Sequence, residues 1–279
     1  MLHFRHMIVA VDVGGTKTLV ASFATTRHIA NEERFPTPAD SSDFLSQLAQ
    51  YLDRFDASNA EAICVAVPGL ISPDGTVLRC GNLPWVNFPL RKLLAKKYSC
   101  PIFINNDAKL AGLAETHNLP EVPPLSLYIT LSTGIGTGII VNGRLEPALA
   151  NSEGGHMVLQ TPQGPQIWEN FASGHAIHQH FKRNAADIHT ASDWHEIADK
   201  LALGFQAIIP LLQPQVIIIG GSVGSYFDRY GHLLKEVLRH RLPAYINLPI
   251  IKQAAHPQEA VLYGCYYYAV HQRITSPAS

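Results

Sequence analysis

Cysteine is sparse in this chain of 279 residues. Cys64, Cys80, Cys100 and Cys265 form no CxxC pair, and none stands at metal-ligand spacing to another. That excludes a disulfide framework and a cysteine zinc site as expectations, and free thiols suit a reducing cytosol. Charge is sparse too. Charged residues make up 15% and the formal net charge is −1, so no electrostatic footprint for nucleic acid or anionic lipid is expected. Apolar runs such as Val216 to Ile219 are of strand length, far short of the roughly 20 residues of a membrane span. Met1 to Val13 carries basic residues but no cleavable apolar stretch with a small-residue exit. No secretory leader is expected, and the expected location is cytoplasmic. The GxxxxGK[ST] pattern of a P-loop is missing from the whole chain. No linker rich in Gly, Ser or Pro divides it, so two lobes would be tightly joined.

What is present is an ordinary globular composition with 47% hydrophobic residues, in which strand-like and helix-like segments alternate, as in an α/β fold. Met7 to Asp12 reads as a buried strand, Gly14-Gly15 as a turn and Thr18 to Phe23 as a returning strand. Phe44, Leu45, Leu48, Leu52 and Phe55 fall at helical spacing behind Ser41 and Ser42, which suit an N-cap. Strands are expected at Ala62 to Val67 and Pro101 to Ile104. Helices are expected at Leu90 to Tyr98 and Ala108 to His117. The second half opens like the first: a strand at Leu127 to Leu131, a Gly/Thr turn at Ser132 to Gly138 and a return strand at Ile139 to Val141. Asn142-Gly143 is hairpin chemistry. Helices follow at Ile167 to Phe181, Trp194 to Leu212, Tyr226 to Leu242 and Gln258 to Gln272, with strands at Val216 to Ile219 and Ile250 to Ala254. A strand–turn–strand unit that opens both halves supplies two backbone-rich turns, a layout suited to the phosphates of a nucleotide.

Five stretches and one further glutamate carry chemistry. In Asp12-Val13-Gly14-Gly15-Thr16-Lys17, the glycines let backbone N–H groups approach phosphate oxygens, Thr16 adds a hydroxyl, and Lys17 adds a positive charge. Asp12, at the strand end, is placed to hold Mg²⁺ through water. The bland alternative is a hairpin turn with a surface lysine. Thr133 and Gly134 lie in a GxGxG run followed by a strand, which rules out a dinucleotide fingerprint and suits a second phosphate-facing loop, with a flexible Gly-rich hairpin as the bland alternative. Asn105-Asn106-Asp107 joins a strand to a helix, where ligands of open α/β sheets gather. Asp107 there is either a base for a hydroxyl proton or a helix N-cap, and Asn106 can orient the same hydroxyl-bearing ligand. Glu153-Gly154-Gly155-His156 and Glu169 offer fixed polar partners for the several hydroxyls of a sugar, and are equally a loop carboxylate, a solvated histidine and a favourable acid in a first helical turn. Gly220-Gly221-Ser222, between a strand and a helix, suits an adenosine or phosphate contact and is equally a tight turn.

Taken in order and spacing, these residues, with Pro68-Gly69 and Asn82-Leu83-Pro84-Trp85, resemble the ROK family of sugar kinases and sugar-responsive repressors. The resemblance runs from about Val9 to the last helix. It implies the actin-like (ribonuclease H-like) two-lobe sugar kinase fold with an interlobe active-site cleft. The expected lobes are 1–106, with 257–279 packing back on it, and 107–256. It implies Asp107 as catalytic base and a sugar site of Gly69, Asn82, Asn106, Asp107, Glu153, His156 and Glu169. ATP would be held by Gly14, Gly15, Thr16, Lys17, Thr133, Gly134, Gly220, Gly221 and Ser222, with Mg²⁺ at Asp12, in a homodimer. The implied reaction is phosphorylation of a hexose, glucose at O6 first. An N-acetylhexosamine kinase, a polyphosphate-using glucokinase and a catalytically silent sugar sensor stay open. Many members carry a cysteine zinc motif after the Gly-His pair. Met157 to Glu169 holds no cysteine, so no zinc is expected and His156 is expected to be a sugar contact alone. Too few residues precede the first strand for the repressors' helix-turn-helix.

Overall fold

The computed structural model describes residues 7–24, 27–256 and 259–275. The chain forms two compact units, 1–114 with 258–279, and 115–257. The division falls inside a helix, beyond the 106/107 boundary expected from the sequence.

The first unit holds β1 (Ile8–Val13), β2 (Lys17–Phe23), β3 (Ile29–Pro36), α1 (Ser41–Arg54), β4 (Ala62–Val67), β5 (Gly69–Ile71), β6 (Val77–Cys80), β7 (Val86–Phe88), α2 (Leu90–Leu94), β8 (Ile102–Asn106) and the start of α3 (Asp107–His117). Its main sheet has the order β3-β2-β1-β4-β8, in which β1, β4 and β8 run parallel. Both faces are covered, which is why β4 reads as an unbroken apolar run and β1 as one interrupted only by Asp12. Val9, Val11, Val13, Ile63 and Val65 pack with Phe44, Leu48 and Leu52 of α1. The cap of α1 is Asp40, not Ser41 or Ser42. Its carboxylate accepts from the Ser42 and Asp43 amides at 2.8 and 3.1 Å, because an extended residue one step before the first turn can reach those donors. Strands β5 to β7 form a separate three-stranded meander, with a turn between β5 and β6 closed by Gly75 N–H on Ser72 O at 2.9 Å.

The second unit continues with β9 (Leu125–Leu131), β10 (Ile135–Val141), β11 (Arg144–Leu145), β12 (Val158–Thr161), β13 (Gly164–Ile167), α4 (Trp168–Ala172), α5 (Gly174–Phe181), α6 (Ala191–Leu212), β14 (Val216–Gly220), α7 (Gly221–Gly224), α8 (Phe227–Arg241) and β15 (Ile250–Gln253). Its sheet order, β11-β10-β9-β14-β15, repeats the first: two antiparallel steps, then two parallel ones. Asn142 and Gly143 both take positive φ between β10 and β11, the conformation a two-residue hairpin needs. The single helix expected over 167–181 is two. Ser173 stands extended between them and its hydroxyl accepts from the Ala176 amide.

The last helix, α9 (Ala260–Thr275), belongs to the first unit. It lies on the small-residue face of the sheet, where the Cys265 thiol donates to Val11 O at 3.7 Å. A Cβ on Gly264 would fall 1.9 Å from Leu110 O, so only glycine allows α9 to come this close to α3. Among the described residues, no helix is long and apolar enough to cross a membrane.

Candidate active site

In the first unit, the ends of β1 and β8 bring two carboxylates together. Asp12 is the half-buried penultimate residue of β1, and Asp107 follows β8 as the first residue of α3. Asp12 keeps part of its surface open while its carboxyl lies deep among protein atoms. Burial, then the negative charge of Asp107, push Asp12 up to about 7, against a downward pull from Lys17. Two acids this close repel when both are ionised, so the place favours a proton or a cation between them. Mg²⁺ takes one or two carboxylates and completes its octahedron with phosphate and water. This donor set fits it. Among the described residues, no group of three or more His, Cys, Asp or Glu side chains forms a larger metal cage.

The raised Asp12 has a consequence for stability. A carboxyl at 3.8 when unfolded and about 7 when folded favours the native state while protonated. Its contribution is complete below pH 3.8 and is lost as pH rises through about 7. In the presence of a chelator and without nucleotide, Asp12→Asn is therefore expected to melt above the wild-type chain at pH 8 and near it at pH 4. The gain at pH 8 is bounded at about 4 kcal/mol. Thermal unfolding of both proteins at the two pH values checks this, and equal melting points at pH 8 contradict it.

The cap of α3 is Asn106, not Asp107. Asn106 Oδ1 accepts from the Lys109 amide at 3.1 Å, and its Nδ2 donates to Gly69 O at 3.0 Å. The buried amide thus braces the Gly69 strand against the start of α3, a structural duty beyond the sugar contact expected of it. Asp107 Oδ1 accepts from the adjacent Ala108 amide at 2.8 Å. Gly69 has φ +137°, and a Cβ there would sit 2.1 Å from Arg79 O, so the close approach of β5 to β6 demands glycine.

The 14–17 turn closes with Gly14 N–H on Lys17 O at 2.9 Å. It is pinned by Thr37, whose hydroxyl donates to Gly14 O at 2.8 Å and whose amide donates to Thr16 O at 3.1 Å. Sequence reasoning missed Thr37, since nothing local marks it. A Cβ on Gly15 would lie 2.9 Å from Asn82 Cβ, so Asn82 sits against this turn. The Cys80 thiol is raised by burial, lowered by the N–H groups of residues 81 to 83, and raised again by the charge of Asp107. The first unit therefore gathers Asp12, Gly15, Gly69, Asn82, Asn106 and Asp107. Thr16 and Lys17 are exposed at the turn's tip.

The second unit gathers the other candidates. Glu153 precedes a short turn over Gly154–His156. Gly154 N–H donates to Thr137 Oγ1 at 2.9 Å, seating this turn on β10. His156 Nε2 stands 3.4 Å from Glu169 Oε1, and Glu169 Oε2 accepts the Ile135 amide at 3.1 Å. Glu169 opens α4 beside Trp168, which is fully buried against Phe205. Gly220 and Gly221 are packing residues: a Cβ on the first would meet Tyr128 Oη at 2.1 Å, and on the second Leu131 O at 2.4 Å. Ser222 lines a cavity of about 440 Å³ with Ser132, Thr133, His175, His178 and Tyr226. The volume lies in the range of small-molecule pockets. Its histidines and tyrosine carry no motif and were not legible in the sequence. Gly134 lies at the other end of the loop, beneath Glu169 Oε2.

Comparison with known proteins bears on this arrangement. The profile described as ROK family matches residues 8–272. N-acetyl-D-glucosamine kinase of Escherichia coli O6:H1 is 25% identical, covering 94% of this chain and 98% of its own. The xylose repressor of Caldicellulosiruptor bescii is 26% identical over 77% of this chain and 64% of its own. The crystal structure of ROK hexokinase from Thermus thermophilus superposes with a TM-score of 0.81 at 26% identity, covering 97% of this chain and 100% of that one. These likenesses establish the actin-like fold.

Proposed function

The chain belongs to the ROK family, and from that membership and the clustered residues we propose that it is a sugar kinase that transfers the γ-phosphoryl group of ATP to a hexose hydroxyl. The observation that carries the reading is the Asp107 carboxylate, set beside Asp12 at the carboxyl ends of parallel strands, with the capping of α3 left to Asn106. A helix cap would have explained Asp107 without chemistry.

In this reading Asp107 accepts the proton of the attacking hydroxyl, O6 in the first instance. Asn82 and the Gly69–Asn106 brace shape the acceptor surface of the first unit; Glu153, His156 and Glu169 hold sugar hydroxyls on the second. The Gly14–Lys17 turn and the Thr133–Gly134 loop hold phosphates, and the cavity lined by Ser222 takes the nucleoside. Asp12 would hold Mg²⁺, which would supply positive charge to the phosphates when bound. Little covalent chemistry is left to the protein, so positioning and electrostatics supply the rate. Glucose is placed first as acceptor on the likeness of Asn82-Leu83-Pro84-Trp85 to glucose-type members. N-acetylglucosamine is placed second, on the Escherichia coli relative. A cytosolic homodimer is the proposed setting.

The test is a coupled assay that crosses glucose, mannose, fructose, N-acetylglucosamine and N-acetylmannosamine with ATP and with inorganic polyphosphate. Sugar-dependent ADP release with at least one acceptor is expected. Polyphosphate as the only effective donor would correct the donor. Sugar binding by calorimetry without phosphoryl transfer from either donor would make the protein a sensor, in line with the repressor relative.

A further inference from the structure

We propose that Glu169 is a positioning residue that couples acceptor to donor, so that a bound hexose tightens the binding of nucleotide. The inference rests on the sugar kinase reading above and adds to it a link between the two substrates within the second unit.

The link is a carboxylate used at both ends. One oxygen of Glu169 faces His156 Nε2 at 3.4 Å. The other accepts the Ile135 amide at 3.1 Å. Ile135 is the first residue of β10, where the chain leaves the Ser132–Gly134 loop. A Cβ on Gly134 would lie 2.7 Å from that same oxygen, so the absent side chain is what lets the carboxylate lie over the loop. Ile135 is gripped from its other side as well: its carbonyl oxygen lies 1.9 Å from where a Gly155 Cβ would be. The loop itself is tied to the start of α5, with Gly174 N–H on Ser132 O at 2.7 Å and His175 N–H on Thr133 O at 3.3 Å. Ser132 and Thr133 line the cavity assigned to the nucleoside.

Glu169 retains 30% of its side-chain exposure and His156 57%, so both can meet a ligand while keeping these partners. A sugar hydroxyl on this pair fixes the carboxylate in one rotamer. The fixed carboxylate then holds the Ile135 amide, and the loop is ordered before nucleotide arrives. A ligand that binds an already ordered loop loses less conformational entropy, which is positive coupling. Linkage makes the effect reciprocal.

Calorimetric titration of the magnesium complex of AMPPNP, with and without a saturating concentration of the best hexose of the panel, reads the coupling. For the wild-type chain, nucleotide affinity is expected to rise at least about fivefold with sugar. In Glu169→Ala, with sugar raised to saturate the weakened site, the ratio is expected to fall to one. Glu169→Gln, whose amide oxygen can still accept the Ile135 N–H, keeps part of it. Amide hydrogen exchange gives a second readout that needs no variant: sugar alone is expected to slow exchange at Ile135. Full coupling in Glu169→Ala, no coupling in the wild-type chain, or an Ile135 amide unmoved by saturating sugar each overturns the proposal. A wild-type chain that binds neither sugar nor nucleotide overturns the kinase reading first, and this inference with it.

Discussion

Asp107→Asn is expected to lower kcat by about 10²–10⁴-fold, the usual cost of removing a general base, with the sugar dissociation constant nearly unchanged. The substitution is close to isosteric. The amide oxygen it introduces can still accept from the Ala108 amide, as the Asp107 carboxylate does at 2.8 Å. The start of α3 keeps its cap, because that cap is Asn106. What goes is the proton acceptor and one negative charge. The loss of that charge has a signature of its own: Asp107 is one of the causes that raise Asp12, so the acid limb of any residual activity, or the pH dependence of melting, should move to lower pH. Steady-state kinetics with calorimetric sugar binding separate these effects. Near-normal turnover in the Asp107→Asn variant would take the role of base away from Asp107.

Gly155→Ala is expected to cost about 10²-fold in kcat/KM and about 1–3 kcal/mol of stability. The new methyl carbon would fall 1.9 Å from Ile135 O, 2.9 Å from its carbonyl carbon and 3.1 Å from its Cβ. Two of these neighbours are backbone, and Ile135 is buried in β10, so no flexible side chain can swing aside. Either the 154–156 turn lifts, carrying Glu153 and His156 with it, or β10 shifts and disturbs the loop before it. Each route displaces residues assigned to substrate by about an ångström, and misplacement of that size is costly for a reaction that works by positioning. Gly81→Ala is the stability control: a Cβ there meets nothing within 4 Å, so its stability should stay within about 0.5 kcal/mol of the wild-type chain. Wild-type melting and kinetics in Gly155→Ala would contradict the reading of this turn.

The duplicated architecture was readable because each half opens with an apolar strand, a Gly/Thr turn and a returning strand. The two sheets share one order of strands for that reason. Less readable were features set by distant partners. The stretch 167–181 has helical spacing throughout, yet it breaks at Ser173, where the following amide of Gly174 is claimed by Ser132 O at 2.7 Å. Strands β12 and β13 are short and mostly polar or half-exposed, with too little alternation to announce themselves. Asn106 and Asp107 are both good cap residues, and only the register of β8 decides that the first caps and the second does not. The cavity walls come from segments around 132, 175–178, 184–186 and 222–226. Those around 132 and 222 belong to the Gly-rich turns read in the sequence, those at 175–178 and 184–186 have no pattern of their own, and only the folded sheet and its helices bring the four side by side.

Helix α9 is made after the whole second unit but completes the first, stacking Tyr266 on Phe23 at 5.0 Å and closing over Val11. On a translating ribosome, β1 to β8 emerge with one face of their sheet uncovered and must wait for the entire intervening unit to be synthesised. The later-made body can fold and leave the exit tunnel while the earlier one is still open. Nascent chains stalled before Ala260 should therefore engage chaperones through the Ala10–Cys64 face, and that hold should end when the final helix is released.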